Sequence, residues 1–87
     1  MAFEDIQFPV YRKYKNNTSF FKVLSRDTFE EIQFIGNQAK LTSITAKQFP
    51  EMNHIYDLVY NYPAFGSEIT ENEWLETLKK VQKPWVF

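Results

Sequence analysis

The chain has no cysteine, only two glycines and a single histidine among its 87 residues. Without cysteine there is no disulfide framework, thiolate zinc site, iron–sulfur cluster or cysteine nucleophile. Gly36 and Gly66 stand alone, so neither a phosphate-binding loop nor a dinucleotide fingerprint can be built, since both need several glycines close together. One histidine leaves no H-x-x-x-H pair for zinc. No run approaches the roughly 18 apolar residues of a membrane span. The acidic start Met1-Ala2-Phe3-Glu4-Asp5 has no apolar stretch of signal-peptide length, which makes the cytoplasm the expected location.

Aromatic residues are what the chain has in excess. Nine Phe, five Tyr and two Trp make up 18% of it, within a hydrophobic total of 44%. Disordered and linker-type chains lack the apolar surface to offset ordering entropy, so this composition excludes them. One domain covering residues 1–87 is expected, because a chain of this size buries only about 64% of its unfolded surface and has material for one modest core. Lacking staples, it must rely on packing or on a second subunit.

The formal net charge is −1, which argues against wholesale binding to nucleic acid or anionic membrane. The charges are not evenly spread. Residues 1–26 carry a net of +3, residues 27–76 a net of −7, and residues 77–87 a net of +3.

Val10 to Lys15 and Ser19 to Ser25 are aromatic and β-branched segments joined by Asn16-Asn17-Thr18. Asn tolerates the left-handed backbone of a tight turn, so a β-hairpin is expected. On its second strand Phe21 and Val23 share one face, and Phe20, Lys22 and Leu24 the other. Phe29 to Ile35 supports two readings. As a helix it has Thr28 and Glu31 as a capping box and Gly36 as a stop. As a strand it leads through a Gly36-Asn37 turn into the Thr/Ile-rich stretch 38–46. The strand is preferred, since seven residues make a short helix.

Phe49-Pro50-Glu51 opens a helix, with Met52, Ile55, Leu58, Val59 and Tyr62 as its apolar stripe. Pro63 and Gly66 stop it. Thr70-Glu71-Asn72-Glu73 is a capping box for a second helix carrying Trp74, Leu75, Leu78 and Val81, which Pro84 ends. Strands followed by helices predict an α+β domain: a three- to four-stranded antiparallel sheet of two hairpins, with both helices on one face. Phe20 or Phe21, Phe34, Phe49 and Trp74 have places in its core.

Chemical signals are sparse. His54 has Glu51 three residues before it and Asp57 three after, a spacing that allows all three to share a helix side. One imidazole and two carboxylates fall short of a zinc site, and no serine sits in G-x-S-x-G. No catalytic residue, metal or cofactor is expected, and the chain reads as a non-enzyme. Two features remain. Tyr11 and Tyr14 stand among basic residues on the first strand, and Trp85 and Phe87 form a tail after a proline. Exposed aromatics of this kind would bind a protein partner or a second copy. Alternatively, Arg12, Lys13, Lys15 and Lys22 would meet phosphates of single-stranded nucleic acid or another anionic ligand while the rings stack on bases.

Ser19 to Ser25, Phe29 to Asn37, Ala46 to Glu51 and Ile55 to Leu58 resemble, in order and spacing, a family of short bacterial proteins with no established activity. The resemblance covers residues 19–58 and implies a stand-alone bacterial domain. It transfers no functional residue.

Overall fold

A computed structural model describes residues 3–82 of the chain. The elements run β1 (Val10–Tyr14), β2 (Ser19–Ser25), β3 (Thr28–Ile35), β4 (Gln38–Thr45), α1 (Phe49–Tyr60), a 3-10 turn (Tyr62–Ala64), β5 (Gly66–Glu68) and α2 (Glu71–Gln82). The strands form one antiparallel sheet in the order β4-β3-β2-β1-β5. The α+β class and antiparallel sheet are those read from the sequence.

Local chemistry sets the turns. Asn17 takes φ +61° between β1 and β2, its N–H donates to the Tyr14 carbonyl at 2.9 Å, and the Asn16 Oδ1 accepts from the Thr18 N–H and hydroxyl. Residues 28–35 are a strand, and Gly36 at φ +60° makes the two-residue turn that pairs Ile35 with Gln38. A left-handed turn residue matches the strand twist, which is why Gly-Asn favours the hairpin over the helix here.

Two features differ from the expectation. A fifth strand, β5, pairs with β1 at the edge opposite β4. At three residues it is too short to show an alternating pattern. It depends on Gly66, where an added Cβ would run into the Lys13 carbonyl oxygen. The helices also lie on opposite faces of the sheet instead of one. Phe21, Val23 and Phe29 pack with Ile55, Leu58 and Val59 of α1, whereas Phe20 and Ile32 pack with Trp74 of α2. The reason lies in β2, whose neighbours Phe20 and Phe21 point to opposite faces. Burying both requires a cover on each side, and each fully buried large apolar side chain contributes about 2 kcal/mol. β5 makes this possible by carrying the chain from α1 to the far edge before α2 begins. There Thr70 caps α2 as expected, its Oγ1 accepting from the Glu73 N–H at 3.0 Å.

Candidate functional site

The buried seam of α1 is Ile55, Leu58 and Val59, and the helix presents different chemistry on its two flanks. At about 100° per residue, His54 and Asp57 fall on one side of that seam and Phe49, Met52 and Tyr56 on the other.

On the first flank a cavity of about 480 Å³ is lined by Tyr14, Lys15, Asn16, His54, Asp57 and Phe65. Volumes of this order accommodate small ligands. β1 supplies Tyr14 at its last position, the turn that follows supplies Lys15 and Asn16, and the segment leading into β5 supplies Phe65. The Lys15 N–H donates to the Phe65 carbonyl at 3.0 Å, which ties the two walls together. Tyr14 meets Phe21 and Phe65 edge-on at 5.0 and 5.6 Å between centroids. His54 meets Phe21 and Phe29 edge-on at 5.4 and 5.2 Å. The Tyr14 hydroxyl and His54 Nε2 lie 3.5 Å apart.

Burial lowers the His54 imidazole below its ordinary 6.5, against the opposing pull of Glu31 and Asp57, so the ring is neutral at pH 7. Burial, with Glu31, raises the Tyr14 phenol. Glu31 is held in place by the Ser19 hydroxyl, which donates to its Oε2 at 2.8 Å, and Asp57 Oδ1 accepts from Asn61 Nδ2 at 2.9 Å. Of the trio aligned by spacing, His54 and Asp57 line the cavity together. Glu51 does not join them: its Oε1 turns back to accept from the Lys47 N–H at 2.9 Å. Among the described residues, no group of three or more His, Asp or Glu is placed to hold a metal.

On the second flank Phe49 is 78% exposed, with Met52 and Tyr56 both at 44%. The core position expected for Phe49 is therefore corrected. Six residues before Ile55 lie about 120° around the helix from it, and the sheet does not reach that far. Phe49, Met52 and Tyr56 border a groove of about 400 Å³ whose other walls include Phe3, Ala46, Arg26 and Asp27. At the far end of the flank the N-terminal segment already covers the helix. Phe3 stacks on Tyr60 at 5.7 Å between centroids, and its N–H donates to the Tyr60 hydroxyl at 2.9 Å.

The basic-aromatic strand does not present one open platform, because its residues alternate between two covered faces. Arg12 is buried. Its Nε donates to the Leu58 carbonyl at 2.8 Å, Nη2 to that of Val59 at 3.4 Å and Nη1 to that of Tyr11 at 2.9 Å. The guanidinium also lies 4.1 Å from the Tyr62 ring centroid. This side chain closes the C-terminal end of α1, where carbonyls lack helical partners and a cation is favoured. Burial pulls its pKa down, while Tyr62 and Glu68 hold it up. Tyr11 packs on Trp74 at 6.3 Å between centroids, and Lys13 Nζ lies 3.7 Å from Glu73 Oε2. Lys22 sits opposite Glu30 in the β2–β3 register. Lys15 is exposed at the cavity rim, apart from Lys22 and the covered Arg12 and Lys13. Tyr14 is a cavity wall, and Trp85 and Phe87 lie outside the described residues.

Sequence reasoning missed Phe49 as a surface residue and Phe65 as a wall. The i, i+3, i+7 spacing of Phe49, Met52 and Tyr56 was the signal for the former. Phe65 has no such signal, since its position depends on β5. No family model, curated protein or solved structure matches the chain.

Proposed function

We propose that the protein is a non-enzymatic interaction domain that associates with a second copy of itself through the Phe49 flank of α1. The observation that carries the reading is the 78% exposure of Phe49 at the head of an apolar stripe. A phenylalanine left in water beside a groove is a costly arrangement for a free monomer and an ordinary one for a subunit.

The flank favours a second copy because it contains both halves of a fit. Phe49 is a projecting ring, and the groove beside it is walled by Phe3, Met52 and Tyr56. Across a twofold axis each copy's Phe49 enters the other's groove, as an isologous contact requires. The charges also suit that symmetry. Arg26 and Asp27 are adjacent at the groove and exposed, and a twofold axis sets each sign opposite its complement. Asp27 is held ionised by hydroxyl donors from Ser25 and Thr28. A chain without disulfides gains stability from such a contact.

Sedimentation velocity over a concentration series is the test. The expected result is a reversible dimer that Phe49→Asp converts to monomer with unchanged circular dichroism. A strict monomer at every concentration, or a dimer indifferent to Phe49→Asp and Tyr56→Asp, rejects the reading.

A further inference from the structure

We infer that the cavity between β1 and α1 is a binding site for an alkylammonium group, walled by the rings of Tyr14, Phe65 and His54 and made electronegative by Asp57. This stands apart from the self-association reading, since it uses the opposite flank of α1.

The argument starts from the walls. Tyr14 and Phe65 meet at an interplanar angle of 79°, so the two rings form a corner and not a stack. A corner of aromatic rings attracts a cation through the ring quadrupoles while excluding water from it. The His54 imidazole lines the same cavity and is held at an angle by its edge contacts with Phe21 and Phe29. Because burial keeps that imidazole neutral, it adds a third ring without adding a competing positive charge.

The charges select the sign of the ligand. Asp57 lines the cavity, and its carboxylate is oriented by Asn61. Glu31 acts on both Tyr14 and His54, Asp57 acts on His54, and each favours positive charge there. Against these two carboxylates stands one lysine, Lys15, at the exposed rim. A hydrogen-bond acceptor is also at hand: the Tyr14 hydroxyl oxygen, 3.5 Å from His54 Nε2, keeps a lone pair that can receive an N–H. A cavity of about 480 Å³ exceeds what a bare ammonium needs, so the group enters on a carbon chain. The carrier is a free amine or a lysine side chain of a peptide.

The test is a titration of the full chain followed by backbone and side-chain NMR. The probes are choline, butylamine, a short lysine-containing peptide, and 3,3-dimethylbutanol as the uncharged isostere of choline. The expected result is a saturable shift of the Tyr14, His54 and Phe65 signals with at least one cationic probe and none with the alcohol. Binding by choline or butylamine identifies a free amine as sufficient, whereas binding by the peptide alone assigns the carrier as lysine. Asp57→Asn and Phe65→Leu should each weaken binding about tenfold, as the loss of one charge or one ring face implies. If a variant proves unfolded by its own spectrum, the comparison of choline with its isostere on the natural chain decides. Equal shifts with both, or no shift with any cationic probe at millimolar concentration, overturns the proposal.

Discussion

The two flanks of α1 are built from the same twelve residues, yet they end in opposite conditions. On the His54 side the end of β1, the β1–β2 turn and the segment into β5 rise around the helix, so His54 and Tyr14 are half-buried and their ionisation is altered. On the Phe49 side Phe3, the β2–β3 turn and Ala46 border the helix among the described residues, and Phe49, Met52 and Tyr56 stay exposed. A helix face thus acquires its role from what the rest of the chain places beside it. The polar flank became a cavity, and the apolar flank became a surface.

Loss of the Arg12 side chain should disturb both flanks together. Arg12→Ala removes three hydrogen bonds to carbonyls, including those of Leu58 and Val59 at the end of α1, and should cost about 3 kcal/mol in a denaturant titration. Next comes a change that separates the flanks. Gly66→Ala sets a methyl group against the Lys13 carbonyl, which should cost about 2 kcal/mol, displace Phe65 and abolish amine binding. Self-association should survive it, as sedimentation of the folded fraction would report.

A smaller effect distinguishes the flanks by pH. The folded His54 pKa lies below its ordinary 6.5 because burial dominates, so the unfolded chain takes the proton first. The stability linked to this group is present above about pH 6.5 and declines as pH falls through that value, until the folded ring also protonates. Amine binding should weaken in the same direction, because an imidazolium beside Tyr14 on β1 opposes the attraction of Glu31 on β3 and Asp57 on α1. His54→Phe should flatten this component in unfolding midpoints measured on either side of pH 6.5. Smallest of all is the effect of Phe49→Ser on monomer stability. With 78% of the residue exposed, the change should stay within about 0.5 kcal/mol, while the sedimentation coefficient falls to that of a monomer.

Much of the fold was legible because strong local rules carried it. Asn17 and Gly36 mark turns that need a left-handed residue, and Thr70 marks a helix start by supplying an acceptor. β5 was not legible, because three residues show no period and the need for Gly66 arises from Lys13, more than fifty positions away. The separation of the helices onto two faces was half legible, since Phe20 and Phe21 are adjacent and must diverge. Of the candidate site, the alignment of His54 with Asp57 followed from helical spacing. The burial of Arg12 did not, because a basic residue in a strand ordinarily faces water, and the carbonyls at the end of α1 and the Tyr62 ring that hold this one are more than forty positions away.

The aromatic surplus, the lack of cysteine and the order of strands and helices determined that this chain forms a small α+β domain held by packing. Periodicity and turn chemistry act between neighbours and can be read along the chain. Which rings became core, cavity wall or open surface was decided by the tertiary structure. Phe21, Phe65 and Phe49 have the same side chain and differ only in what other elements bring against them.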